Sequence, residues 1–368
     1  MKDGSPPLVV IGAGGTGGHM FPAAAFAAEM KDRGWRVGLM TDERGRKYTD
    51  GFAADWIINV KAATFASKRP DKVLGAGWKI FSGIQEARAK LKQEKASLVA
   101  GFGGYPAFPA LAAGGRSGIP IIIHEQNAVL GRVNRFFAKN ARIIACGFDR
   151  LDRLPPGCEG RKRIVGNPVR RPIRAIGDMP YPDVSDSGPL NVLVIGGSQG
   201  ARLFGNIIPK AIAELPENLR ARLHVVQQVR DEQMEEVRAI YKAHGVSAEL
   251  SPFFSNMPEK LAETHFVISR SGASSVTELA VTGRPSLLIP LAIAMDDHQT
   301  GNAETLVSAG AADVLTESQF TPEAAASLLA ARLSEAEGLK ARAEAARTVA
   351  HMNAASDLAD LAEGVVSQ

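Results

Sequence analysis

Two short stretches constrain the fold of this 368-residue chain more than anything else in it: LVVIGAGGTGGH at 8–19 and LNVLVIGGSQGA at 190–201. Each sets Gly-Gly, a hydroxyl residue and a third glycine directly behind an apolar run, at 14–19 and again at 196–201. Such a run closed by glycines reads as a buried strand turning tightly into a helix. A helix that begins there aims free N–H groups and its positive dipole end outward, which suits a phosphate or diphosphate. A turn serving only strand–helix packing is the plainer reading of one such loop. Two of them, one per half, favour a paired α/β architecture in which the carboxyl ends of two sheets face a cleft.

The rest of the chain follows the same alternation. Candidate strands are 8–12, 36–42, 56–60, 97–103, 120–126 and 141–148, then 190–197, 223–229, 266–272 and 285–291, with helical patterns between them. Near-continuous apolar runs of this kind belong to parallel sheets covered on both faces. The stretches PPGCEGRKR (155–163) and PIRAIGDMPYPDVSDSGP (172–189) read as connections. Length and pattern predict two domains, 1–168 and 169–345, and a closing helical segment, 346–368, that packs back on the first. Only Cys146 and Cys158 are present, which argues against a disulfide framework or a cysteine-ligated metal and fits a reducing compartment. A formal net charge of +4 is too small to imply nucleic acid. No stretch approaches the ~20 apolar residues of a membrane span, and none near the start resembles a signal peptide.

Gly12-x-Gly14-x-x-Gly17 also matches the dinucleotide fingerprint, and Asp42 stands near where a ribose-binding acid is wanted. Against a dehydrogenase stand the glycine density, His19 after the loop, and a second polar cluster, SRSGASSVTE at 269–278. The small residues Ala273, Ser274 and Ser275 open a helix there, and Glu278, a turn further on, can accept two ribose hydroxyl protons. In MDDHQTGNA (295–303), Gln299 and Asn302 are candidate sugar-hydroxyl partners. Asp296-Asp297 lacks a third acid, so no metal and no cofactor is expected.

Taken in order, GAGGTGGH, GFGGYP (101–106), HEQN (124–127), GNPVR (166–170), GGSQGA, SRSGASSVTE and DDHQTGNA resemble the motifs of the MurG family of peptidoglycan glycosyltransferases. The resemblance runs from about residue 8 to 310. It implies a GT-B fold of two Rossmann-like, doubly wound domains. It also implies an inverting transfer of N-acetylglucosamine from UDP-N-acetylglucosamine to the 4-hydroxyl of the undecaprenyl-linked acceptor, lipid I, giving lipid II. Donor contacts then fall on Thr16, Gly17, Gly18, Asn127, Arg170, Ser198, Phe254 (through its backbone), the run from Ala273 through Ser274 and Ser275 to Glu278, and Gln299. Acceptor contacts fall on Gly103, Gly104 and Tyr105; Ala107 stands where relatives often carry serine. A UDP-sugar 2-epimerase of the same fold, or less readily a nicotinamide-dependent oxidoreductase, remain alternatives.

An inverting displacement needs a base for the acceptor hydroxyl and no covalent nucleophile. His19, at a helix start, is the first candidate; Glu125, at the carboxyl end of a strand, is the second. His124 reads as buried beneath the site. A lipid-anchored acceptor calls for membrane docking at the cytoplasmic face of the inner membrane. Residues 65–92 gather Val73, Leu74, Trp78, Ile80 and Phe81 among seven Lys and Arg residues, a pattern that suits an anionic membrane surface. A surface helix packing on its sheet fits that pattern equally well. Other cell-wall synthesis proteins are candidate partners.

Overall fold

A computed structural model describes residues 6–60, 70–197 and 200–367, and of residues 70–76 and Met295 the backbone alone. The chain divides into two units, residues 1–170 with 353–368, and residues 171–352. The first holds seven parallel strands: β1 (Leu8–Gly12), β2 (Arg36–Thr41), β3 (Trp56–Asn59), β4 (Leu98–Gly101), β5 (Ile121–Glu125), β6 (Ile143–Cys146) and β7 (Lys162–Ile164), in the order β3-β2-β1-β4-β5-β6-β7. The second holds β8 (Leu190–Ile195), β9 (Leu223–Gln228), β10 (Ser247–Ser251), β11 (Phe266–Ser269), β12 (Ser286–Leu288) and β13 (Ala312–Val314), in the order β10-β9-β8-β11-β12-β13.

Alternation explains the continuous apolar runs of the interior strands. Leu8 and Val10 join the core on one face of the first sheet, Val9 and Ile11 the core on the other. Ile121 and Ile123 oppose Ile122 in the same way. Side chains of successive strand residues point to opposite faces, so a sheet covered by helices on both sides favours near-continuous apolar runs in its interior strands.

In both units the strand order reverses beside the first strand. β1 pairs with β4 so that Gly12 stands opposite Gly101, and β8 pairs with β11 so that Ile195 stands opposite Ser269. The loops leaving β1 and β4 therefore start as neighbours, as do those leaving β8 and β11. These are the switch points at which open parallel sheets bind ligands.

Three strands depart from the sequence reading. β7 lies partly within the stretch read as a connection, and β10 and β13 were not expected. All three are sheet edges. The final helix, Ala354–Ser367, belongs to the first unit: Leu358, Ala359 and Ala362 join Met20, Phe26 and Met30 in one core. Arg33 fastens it through Asp360 (2.5 Å), Glu363 (2.9 Å) and Ser356 (2.8 Å). The division comes after Arg170 and Met352 rather than at 168 and 345. Arg347 donates to the carbonyls of Gly177 and Met179, and Arg174 to that of Met352, which holds 346–352 in the second unit.

Candidate active site

The loop leaving β1 turns through Gly15 at φ +85° and reaches Thr16, extended, before the helix Gly17–Asp32. No side chain caps this helix. The Thr16 carbonyl accepts from His19 and Met20, while Gly17 and Gly18 lie in the first turn, whose amides have no acceptor inside the helix. Asp42 fastens the turn: its Oδ1 accepts from the amides of Gly15 (3.0 Å) and Gly45 (2.9 Å), and its Oδ2 meets Arg44 at 3.2 Å. The acid that a dinucleotide site would keep for ribose is thus spent on the loop itself.

The neighbouring loop, after β4, holds Gly103 and Gly104 at φ +85° and +74°. A Cβ on Gly103 would lie 3.1 Å from Cε1 and Nδ1 of His19, and one on Gly104 would lie 2.6 Å from the Gly14 carbonyl. Both the dihedrals and the closeness of the imidazole therefore require glycine. Tyr105 follows, half-buried, while Ala107 is fully buried and leaves no hydroxyl contact at that position.

His19 Nδ1 lies 3.0 Å from Oε1 of Gln126, and the Gln126 amide nitrogen lies 3.0 Å from Nδ1 of His124. His124 Nε2 in turn meets the Gly166 carbonyl at 3.0 Å. Burial pushes the His124 imidazole down to about 4, against the pull of its bond to that carbonyl. His124 is a neutral, buried link, as the sequence reading held.

Glu125 is only 2% exposed, and its carboxylate is saturated. Oε1 accepts from the Asn127 amide (3.1 Å) and the Asn127 side chain (3.3 Å). Oε2 accepts from the Gly131 amide and from Asn134 Nδ2, both at 2.9 Å. An ionised carboxylate offers about four acceptor sites, and all are used to shape the 125–134 loop. Arg170 packs its guanidinium 4.4 Å from the ring centre of Phe21, beside the first helix.

In the second unit the helix Ala273–Thr282 starts at Gly272 with no side-chain cap. Ala273, Ser274 and Ser275 form its first turn; the hydroxyls of Ser271 and Ser274 are buried and make no hydrogen bond. Glu278 lies one turn further along the same helix, half-buried. Gln299 Oε1 accepts from the Leu291 amide at 3.0 Å, so its amide hydrogens are what it has to offer a ligand. Asn302 is fully buried and donates to the Ser271 carbonyl at 3.1 Å, which makes it a support for the loop and corrects its reading as a sugar contact. Phe254 is buried at 8% exposure beside the exposed Phe253. Ser198 lies outside the described residues. Asp297 accepts from Thr300, and among the described residues no group of three His, Cys, Asp or Glu side chains is placed to hold a metal.

Sequence reasoning passed over Gln126, Asn134 and Gln228. The last accepts from the Gly196 amide (3.1 Å) and donates to the Pro252 carbonyl (3.1 Å), tying the glycine loop to the strand end before Phe254. An amide carries no proton chemistry of its own, so only geometry marks these residues.

Of residues 65–92, 65–69 lie outside the described residues; the helix Pro70–Gln93 follows. It has two apolar faces. Ile84, Ala87 and Leu91 are buried in the first unit's core, while Trp78 (71% exposed) and Phe81 (52%) stand in solvent, their rings 5.9 Å apart. Among the described residues no helix is long and apolar enough to cross a membrane.

Two doubly wound parallel sheets, each with a glycine turn and an uncapped helix at its switch point, put the chain in the GT-B fold class, and its family matches make it a glycosyltransferase of that class. Residues 9–146 match the glycosyltransferase family 28 N-terminal domain, and residues 191–362 the corresponding C-terminal domain. The chain is 51% identical over 358 residues (97% of this chain, 98% of the relative) to the UDP-N-acetylglucosamine--N-acetylmuramyl-(pentapeptide) pyrophosphoryl-undecaprenol N-acetylglucosamine transferase of Caulobacter vibrioides strain NA1000 / CB15N. It is 47% identical over 363 residues (99% of both chains) to the enzyme of that name from Maricaulis maris strain MCS10. The crystal structure of Acinetobacter baumannii MurG superposes with a TM-score of 0.79 at 31% identity, covering 98% of this chain and all of that one. The chain belongs to glycosyltransferase family 28, in its MurG branch.

Proposed function

We propose that the chain transfers N-acetylglucosamine from UDP-N-acetylglucosamine to the muramoyl 4-hydroxyl of lipid I, forming lipid II with inversion at the sugar. The observation that carries this reading is the second unit's helix start, where an uncapped first turn and two buried serine hydroxyls without partners await an oxygen-rich ligand. Glu278, one turn on, takes the ribose hydroxyls, and the loop of Phe254 reads the uracil edge through its backbone. Helix dipoles and loop amides receive the charge of the departing UDP, with Arg170 at the diphosphate.

His19 is the base in this reading. Its ring takes the hydroxyl proton as the acceptor oxygen bonds to the anomeric carbon; the bond to the phosphate oxygen breaks, and UDP leaves with that electron pair. Glu125 has no acceptor site left for the proton and acts as the loop's anchor. Gly103, Gly104 and Tyr105 line the acceptor side. Trp78 and Phe81, with the nearby Lys79 and Arg88, form the docking face for an anionic membrane at its cytoplasmic side, so that the enzyme works as a peripheral protein.

The test is UDP release from UDP-N-acetylglucosamine with and without a lipid I analogue. Release should require the analogue, and His19→Ala should lower kcat roughly 10²–10⁴-fold while donor affinity changes far less. Parent-like turnover by His19→Ala would remove the ring from the chemistry.

A further inference from the structure

The proposed base must present a lone pair, and a neutral imidazole has one on only one of its two nitrogens. The chain of contacts behind His19 decides which. It ends on two backbone carbonyls, groups that can only accept.

The first is that of Gly166, 3.0 Å from His124 Nε2. Nε2 must carry hydrogen to bond it, so neutral His124 keeps its lone pair on Nδ1. The second is His124's own carbonyl, 3.2 Å from the Gln126 amide nitrogen. That same nitrogen lies 3.0 Å from His124 Nδ1. Both neighbours are acceptors, so the Gln126 group facing them is NH₂; the amide turned the other way would set an oxygen against a carbonyl and a lone pair. Gln126 Oε1 therefore faces His19 Nδ1 at 3.0 Å, and the hydrogen of that bond is on the imidazole. Gln126 and His124 are each 1% exposed, so no solvent competes for these bonds.

We infer that Gln126 is a positioning residue that holds neutral His19 in its Nδ1–H form, leaving the lone pair on Nε2 for the acceptor hydroxyl. This rests on the reading of His19 as base. The glycine pair Gly103–Gly104 complements it by letting the ring lie where Gln126 reaches it. The free histidine side chain in water favours the opposite, Nε2–H form, so the protein must act to obtain this one. When His19 takes the proton, its Nδ1–H bond to Gln126 stays in place, and nothing behind the ring has to rearrange.

The direct test is ¹⁵N NMR of ring-labelled full-length protein above the titration range of histidine, where Nδ1–H and Nε2–H tautomers give distinct nitrogen shifts. His19 and His124 are assigned by their loss in His19→Ala and His124→Asn. His19 should show Nδ1–H and His124 Nε2–H. An Nε2–H signal for His19 in the unaltered protein overturns the inference. Gln126→Met keeps the volume and removes the bond: His19 should shift toward Nε2–H, and kcat should fall about tenfold or more with the donor KM unchanged. A folded Gln126→Met enzyme with an unchanged His19 spectrum, or a shifted spectrum and unchanged kcat, also overturns it. Failure of the base reading looks different: His19→Ala turns over normally whatever the tautomer.

Discussion

Glu125→Gln separates a loop anchor from a catalytic base, because the two roles predict opposite patterns. The carboxylate meets four donors: two from Asn127 on one oxygen, and the Gly131 amide and Asn134 Nδ2 on the other. A glutamine of the same shape has one oxygen. Whichever way its amide turns, its NH₂ faces two donors. The cheaper orientation sets it against Asn127, where the bonds are longer, at 3.1 and 3.3 Å, and where the side chain is half-buried and can swing to water. The two bonds at 2.9 Å then survive in weaker, neutral form. Hydrogen bonds to a charged group contribute roughly 1.5–3 kcal/mol each. Two lost bonds, offset by the lower desolvation of a neutral amide, leave a net cost of about 3 kcal/mol.

For a unit of this size that lowers Tm by about 6–12 °C. Differential scanning calorimetry, alone and with UDP, reads the shift. Turnover well below the new Tm should stay within roughly tenfold of the parent, whereas loss of a base costs about 10²–10⁴-fold. A variant that melts with the parent and is nearly dead would refute the argument and move the base role to Glu125.

Four shorter expectations follow from the same geometry. His124 is held down at about 4 in the folded chain against an ordinary 6.5, so between those values the unfolded chain binds a proton that the folded one refuses. Stability from this residue is complete above pH 6.5 and lost as pH falls toward 4, by about 3 kcal/mol; urea titrations should show a flatter pH slope for His124→Asn. Arg33→Ala should speed amide exchange in 354–367, since it cuts the bonds to Ser356, Asp360 and Glu363; unchanged protection would mean that the apolar contacts suffice. Glu278→Ala should weaken donor binding by roughly 10–100-fold in calorimetry, the worth of bonds to a charged acceptor, and unaltered affinity would take Glu278 out of the site. Trp78→Ser with Phe81→Ser should reduce sedimentation with anionic vesicles and spare turnover of a soluble acceptor analogue; parent-like sedimentation would put the docking face elsewhere.

What could be read from the residues, and what could not, divides on physical lines. Interior strands such as β1, β5 and β8 declare themselves because both faces are covered and each carries a run of at least three consecutive apolar residues. The edge strands β7, β10 and β13 read KRI, SAELS and ADV: one neighbour and partial exposure relax the demand for apolar residues, and no run remains to find. The two glycine loops were legible for the converse reason, since a chain entering a helix from a buried strand end at positive φ has few alternatives.

The chemistry was legible only by residue type. Glu125 stands out in a sequence as a carboxylate at a strand end, and two of the four donors that saturate it come from Gly131 and Asn134, six and nine positions on, brought back by the fold. Gln126 stands out not at all. Its importance comes from the direction of two main-chain carbonyls, at 124 and 166, and no side-chain alphabet encodes that direction. A motif such as HEQN thus reports its members unequally. The residue with the most suggestive chemistry is fully occupied in holding the loop, and the bland amide between it and Asn127 sets where the lone pair of His19 resides. Glu125→Gln should therefore lower Tm, and Gln126→Met should shift the His19 tautomer and lower kcat, a reversal that ranking residues by titratable chemistry would not foresee.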